Sequence, residues 1–463
     1  MLEPTYQADV VVVGAGVAGL SAARRLTSAG VTTMVLEAAH EVGGRMATEK
    51  ADGFRLDRIG RLLSTAYPEL RPASGLDGLV LRPFAPGVLL HSDGRHHRAG
   101  ARGARSTRGA LHAVRALASA PRPGGGPRRP AAVPGRQVSV PRSRTGAPLG
   151  TAVDQARLGA AFGKLVGTPV ERLLARPETT AAEALPARGL PARTIDGFLR
   201  PLLAALLCDP DLTTSSRCAD LALRAFAGGR LCMPEGGSEA LPRQLARTLP
   251  PGTVHTGVRV TSVSTTSVTT AEHGEFRCGA VLIATGARAA AELLPGLRVP
   301  DFHPVTVVHH STDEAPGTGA SLLLDAERGG PVAHTAVVSR IDPSRAPAGR
   351  TLVSSTVLGP PVPGIDTAVR MHLARLYGVS TARWETLAVH HTAEAAPAMR
   401  PPHDLRRPVR LLAGLYVCGD HRDTGTVQGA LHSAHRASAA ILTDLGVNRP
   451  MHAADPVPTA RAA

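Results

Sequence analysis

Apolar and polar positions follow two different periods along this chain. Near its start, Val10-Val11-Val12-Val13 is an unbroken β-branched run behind Asp9, the pattern of a strand buried on both faces, and a glycine closes it. The period then changes: Val17, Leu20, Ala23 and Leu26 recur at helical spacing, and Thr33-Met34-Val35-Leu36 returns to a short buried run. Strand, glycine-rich turn, helix and strand over residues 9–37 predict the opening of a parallel α/β unit. Two similar four-residue runs come much later, Ala280-Val281-Leu282-Ile283 and Leu415-Tyr416-Val417-Cys418. Between the first unit and these runs lie a helix-rich stretch (roughly 151–250) and a stretch with β-branched runs, Pro304 to His309 and Thr351 to Val357. This predicts a nucleotide-binding domain interrupted twice by a second domain, and 463 residues give room for about two to three domains.

The turn at residues 14–19 carries the first chemistry. Gly14-Ala15-Gly16-Val17-Ala18-Gly19 is a GxGxxG placed between a strand and a helix. Gly14 permits the tight turn, Gly16 lets the backbone approach a pyrophosphate, and Gly19 lets helix and strand pack closely, with the helix N-terminus offering N–H groups at Val17 and Ala18. Glu37, at the end of the second strand, is the acidic residue such a site needs about 20 positions on to bind ribose hydroxyls. A dinucleotide is the ligand this arrangement predicts.

The continuation, Glu37-Ala38-Ala39-His40-Glu41-Val42-Gly43-Gly44-Arg45, resembles the VLEA…GGR signature of the flavin amine oxidase and phytoene desaturase-like superfamily. A second signature agrees: Leu415 to Asp420, then Gly425-Thr426-Val427-Gln428-Gly429-Ala430, is similar to that superfamily's closing motif, and Gly257-Val258-Arg259-Val260 with Ala284-Thr285-Gly286 matches its middle segment. The resemblance implies an α/β fold: a two-dinucleotide-binding-type (Rossmann-like) FAD domain from about residues 1–66, 234–290 and 405–446, with an inserted mixed α+β substrate domain from 67–233 and 291–404. It implies non-covalent FAD, with Gly44 running along the cofactor, Arg45 beside the pyrophosphate, backbone at Val258 near the adenine, Asp420 on a ribityl hydroxyl, and the helix opening at Val427 facing the flavin's pyrimidine edge. The implied activity is hydride removal from a hydrophobic organic substrate, an amine or a C–C bond to be desaturated, with dioxygen as one possible acceptor. An FAD-retaining but impaired or regulatory protein is the alternative.

The resemblance is incomplete in places. Amine oxidases of this kind place a lysine over the flavin, and no lysine follows Lys164; aromatic residues for an amine cage are 3% of the chain, with Trp384 the sole tryptophan. The closing Gly419-Asp420 form fits phytoene-type desaturases less well, which leaves a protoporphyrinogen oxidase-like branch. His390 and His391 are the candidate acid–base groups. The segment from Phe198 through Met233 to Gly237 reads as a helical cap that builds part of an apolar substrate tunnel.

Composition changes this picture in one region. The formal charge is +15, and residues 101–150 hold ten arginines and no acid, so about +5 is left without them. The segment lacks aromatic residues, which argues against stacking on nucleic acid; an irregular insertion, a slip of reading frame in the gene, and an anion-binding or peripheral membrane-contacting stretch are its open readings. Five cysteines without CxxC spacing read as free thiols, histidine pairs lack ligand spacing and no metal is expected. The strand at Asp9 leaves no space for a signal peptide, no run of 18 apolar residues occurs, and a cytoplasmic location follows as an expectation, with a disordered tail over 447–463.

Overall fold

The computed structural model describes residues 7–71, 76–100 and 148–447. Most of the arginine-rich segment (101–147) and the tail from 448 onward lie outside the described residues, as do the expectations made for them.

Val10, Val11 and Val12 are fully buried, because the strand Gln7–Val13 is the centre of a sheet covered on both faces. That sheet has parallel strands in the order Val254–Thr256, Thr33–Glu37, Gln7–Val13, Glu275–Ile283 and Leu415–Val417. An antiparallel meander, Val260–Val263 and Ser267–Thr270, extends from Glu275–Ile283, and Arg410–Leu412 flanks the Leu415–Val417 strand. Four segments far apart in sequence thus pair in register, Val13 against Leu36 on one side and Ile283 on the other, and Ile283 against Val417.

The helices Val17–Ser28 and Val427–Asp444 lie against each other on one face, burying Leu20, Ala23, Leu26, Leu431, Ala434 and Ile441 in one cluster with Val10, Val12, Leu282 and Tyr416. The other face of the sheet buries Val11, Val13, Leu36, Val281 and Ile283 with Ala290 and Val258. Tyr416 is buried in the first cluster and its hydroxyl donates to Asp444, a packing role.

A second sheet of seven strands runs Glu385–Pro397, Phe302–Thr312, Thr351–Leu358, Val332–Val337, Leu323–Asp325, Val88–Ser92 and Arg95–Ala99. All its pairings are antiparallel except Leu323–Asp325 with Val88–Ser92. Its alternation sends Val305 and Val307 to one face and Val308 to the other, where Val369, Leu373 and Trp384 cover it from the helix Ile365–Tyr377 and the turn beyond. The helices between 152 and 228 form the largest apolar cluster with this sheet, centred on Phe198, Leu202, Leu203, Leu223 and Phe226. The fold is therefore α/β with a mixed second layer, as the motif pattern predicts.

Candidate cofactor groove and adjoining cavity

Glycine geometry builds the groove. Gly14 stands at φ 104°, a conformation side chains rarely adopt, and its N–H donates to the Leu36 carbonyl at 2.7 Å. A Cβ at Gly19 would stand 1.9 Å from the Gly14 carbonyl oxygen, so the helix sits against the turn as only glycine permits. At Gly16 the same construction meets nothing within 4 Å, and this residue faces open space at the N-terminus of Val17–Ser28. Gly43 bridges to Gly16 and donates to the Ala15 carbonyl at 2.9 Å, and a Cβ at Gly44 would stand 3.7 Å from the Gly16 Cα. The GxGxxG turn and the Gly43-Gly44 turn thus form two walls of one opening, at the carboxyl ends of the parallel strands where such sheets bind ligands.

Glu37 stands beside that opening at the end of its strand. Its Oε2 accepts from the Ala15 N–H at 2.7 Å and Oε1 from the Ala39 N–H at 2.9 Å, while its carbonyl accepts from the Val258 N–H at 2.8 Å. Val17 begins the helix partly buried, whereas Ala18, Val258 and Val427 are buried in the packed layers. Arg45 and Asp420, predicted to meet different parts of the cofactor, are joined here: Arg45 Nη2 donates to Asp420 Oδ1 at 2.6 Å and Nη1 to the Ala395 carbonyl at 3.2 Å. Burial alone would raise the Asp420 pKa, but the Arg45 cation holds it below the usual carboxylate range. The next residues lead to Thr426, whose hydroxyl accepts from the Gly429 N–H at 3.1 Å and caps the helix Val427–Asp444, leaving its first N–H groups and positive end toward the groove.

These residues fit FAD. Open space over Gly16, a carboxylate on a strand end for ribose, an exposed cation paired with the buried Asp420 and two helix N-termini are the donor and acceptor set an extended dinucleotide needs. His390 and His391 are not brought to it. They alternate across one strand: the His390 ring packs on His309 at 5.5 Å between centroids, with Nε2 3.8 Å from Glu49 Oε2, while His391 is exposed and pairs with the Thr306 hydroxyl at 3.0 Å. Burial lowers the His390 pKa.

The polar centre lies elsewhere, in a cavity of about 40 Å³ beneath the second sheet. Its apolar wall includes Leu62, Phe84, Met233, Val307 and Leu322; its polar wall includes Arg55, Asp57, His309, His334 and Arg345. Arg345 is 2% exposed and clasps Asp57, with Nη1 donating to Oδ1 at 3.1 Å, and its Nε lies 3.4 Å from Asp342 Oδ2. Burial would raise Asp57, yet the Arg345 guanidinium and the Ser238 and Thr48 donors bring it to about 2. His309 bonds the Ser354 hydroxyl at 2.8 Å and the Asp57 carbonyl at 3.0 Å; burial pushes both His309 and His334 down to about 4, so both are neutral imidazoles at pH 7. Arg61 links cavity and groove. The cavity wall includes Gly60, and the adjacent Arg61 donates through Nη2 to the Gly425 carbonyl, just ahead of the closing helix, and through Nη1 to Cys208 Sγ at 2.8 Å. Of the expected cap, Met233 lines the cavity, whereas Phe198 and the helix Arg200–Leu207 are packed in the core rather than in a tunnel wall, because their leucines find the helix Ser216–Gly228 and the second sheet.

The family model of flavin containing amine oxidoreductases matches residues 17–442. The chain belongs to that family. Among curated relatives of this flavin amine oxidoreductase, putrescine oxidase of Kocuria rosea is 42% identical over 100 residues, 20% of this chain and 20% of that protein. A limonene dehydrogenase component of Castellaniella defragrans is 38% identical over 92 residues, 19% of this chain and 17% of the relative. The matched stretch thus spans about a fifth of the length of these relatives. Among solved structures, an oxidoreductase from Methanosarcina mazei superposes with a TM-score of 0.67 at 16% identity, over 94% of this chain and 100% of that one. Wild-type putrescine oxidase bound to putrescine gives 0.64 at 18% identity, over 95% and 100%. At these identities the structures speak for the fold, and the family carries a flavin. Among the described residues, no helix is long and apolar enough to cross a membrane.

Proposed function

We propose that this chain is an oxidoreductase with non-covalent FAD that removes a hydride from a C–H bond of a small, neutral, hydrophobic organic molecule, with dioxygen or another oxidant as the final acceptor. The observation that carries this reading is the groove itself, where open space over Gly16, the Glu37 carboxylate and the Arg45–Asp420 pair together fit FAD; the cavity that Gly60 lines, at about 40 Å³, has room for a few waters and must widen to admit a substrate. Bound there, FAD would supply the two-electron acceptor, and the protein's part is orientation and exclusion of water. Two electrons and one proton leave the substrate carbon together; a second proton, where the product requires its loss, goes to water.

The charges of the wall argue against a polycation, since Arg55 adds a cation to the paired Arg345 and Asp57. Arg345 neutralises Asp57 and is itself flanked by Asp342, and the two cavity histidines are uncharged, so the wall offers no free carboxylate for a polycation. The relatives' names span an amine and a hydrocarbon, putrescine and limonene; this wall favours a lipophilic amine in its free-base form or a C–C bond over a dication. Cys418, the thiol beside the closing motif, is fully buried and pushed up to about 12, which supports non-covalent attachment. Five free cysteines support a reducing, cytoplasmic setting.

The test is anaerobic mixing of purified protein with a panel of neutral lipophilic amines and cyclic hydrocarbons. The expected result is bleaching of the yellow flavin by at least one of them, and recovery in air with peroxide formed when dioxygen is the acceptor. Bleaching by putrescine alone would overturn the neutral-substrate reading; a flavin that no member of the panel reduces would overturn the hydride-transfer reading.

A further inference from the structure

Next to the Arg95–Ala99 edge strand of the second sheet, on the side away from Glu385–Pro397, lies a cluster that redox chemistry does not use. Strand Leu323–Asp325 pairs in parallel with Val88–Ser92, setting Asp325 directly opposite His91. The order of strands puts this pair four to five strand spacings, about 20 Å, from Ala395 and the Arg45–Asp420 pair. His91 is 2% exposed, and neither ring nitrogen has a hydrogen-bond partner. Its Nδ1 lies 3.8 Å from Asp325 Oδ1, too far for a hydrogen bond. Buried ring nitrogens without partners are uncommon in native proteins and call for a group that the side chains do not supply.

Glu327 completes the arrangement. The donor atoms of His91, Asp325 and Glu327 all lie within 4.8 Å of one another. The two carboxylates are held from behind: Asp325 Oδ2 accepts from the Gly329 N–H at 2.7 Å and from His372 Nε2 at 3.0 Å, and Glu327 Oε1 accepts from the Asp93 N–H at 2.6 Å. His372 Nδ1 accepts from the Val332 N–H at 3.1 Å, which fixes the proton on Nε2 and its donation to Asp325. Ligating carboxylates are commonly oriented by such outer hydrogen bonds.

We propose that His91, Asp325 and Glu327 bind one divalent transition-metal cation of zinc type where Leu323–Asp325 and Val88–Ser92 pair. One imidazole nitrogen and two carboxylates suit Zn²⁺ better than Mg²⁺, and a modest closure brings each donor to the ~2.0–2.2 Å that zinc requires, with water completing the shell beside the exposed Glu327. Arg375 Nη2, 3.1 Å from Asp325 Oδ2, opposes the cation electrostatically and keeps the site weaker than a closed structural zinc site. Metal here would tie the turn after Asp325 to the Val88–Ser92 strand under the helix Ile365–Tyr377.

The test is calorimetric titration of the full-length, EDTA-stripped protein with zinc chloride, and separately with magnesium chloride. One zinc per chain and no comparable magnesium binding are expected. His91→Ala should weaken zinc binding at least tenfold, Glu327→Gln should weaken it as well, and Arg375→Gln should tighten it severalfold because the opposing charge is gone. The tightening is what a purely structural ion cluster would not give. If His91→Ala does not fold, Glu327→Gln at the exposed position decides. No zinc heat in the unmodified protein, or unchanged zinc affinity in the folded His91 or Glu327 variant, overturns the proposal.

Discussion

At the scale of single residues, the molecule depends on a few contacts that tolerate no substitute. Gly19 is the clearest: a Cβ there would stand 1.9 Å from the Gly14 carbonyl oxygen, so Gly19→Ala must push the helix off the turn. Gly19→Ala should cost about 3 kcal/mol, the upper end of over-packing penalties, and lower flavin content; chemical denaturation and the absorbance of the purified variant check both. Asp57 is equally exacting for a different reason. Arg345 is almost completely buried against it, and removing one member of a buried ion pair costs about 3–5 kcal/mol. Asp57→Ala should lose that amount in urea denaturation, and a loss below about 1 kcal/mol would show that the pair is not what holds the cavity. These two residues differ in how far sequence could find them. Gly14, Gly16, Gly19 and Glu37 lie within one local unit whose spacing is itself the signal. Asp57 and Arg345 are 288 positions apart, and no period connects them. His309 leaves a fainter trace, since it shares strand parity with the buried Val305 and Val307, whereas His390 and His391 draw attention only by being adjacent.

Elements carry the next level of the design. The closing helix Val427–Asp444 matters for where it starts, since its N-terminus and the Arg61–Gly425 contact define one end of the groove. Thr426→Ala removes the cap on Gly429 and should cost about 1 kcal/mol. It should also weaken FAD retention more than a substitution of similar cost at the exposed C-terminal end of the same helix, and dialysis of both variants with fluorescence of released flavin measures this. The parallel strands and the two helices packed beside them are legible in the sequence because continuous β-branched runs and helical spacing mark them strongly. The Val88–Ser92 and Arg95–Ala99 hairpin and the short Val254–Thr256 strand are not, because each is completed by partners distant in sequence, Leu323–Asp325 and Thr33–Glu37 respectively. The cap helices suggest a tunnel wall from sequence because an apolar helix face looks the same whether it meets substrate or core.

For the whole molecule, burial of neutral histidines sets the response to acid. Burial pushes His309, His310, His334 and His421 down to about 4 from an ordinary value of 6.5. Between those values the unfolded chain binds more protons than the folded one, so stability is fully present above about 6.5 and falls as pH drops toward about 4. Asp57, held at about 2, adds a further loss only below its ordinary 3.8. Thermal unfolding should therefore shift to lower temperature already between about pH 6.5 and 5, and a midpoint constant across that interval would contradict this. Two of these neutral rings, His309 and His334, line the cavity that Gly60 and Arg61 connect to a groove shaped for FAD. The most direct measurement of that central claim is the absorbance spectrum of the purified full-length protein, with quantitation of flavin released on heating. One FAD per chain, released intact and lost in the Gly19 variant, is the predicted result; a colourless protein that fails to take up added FAD would contradict the account.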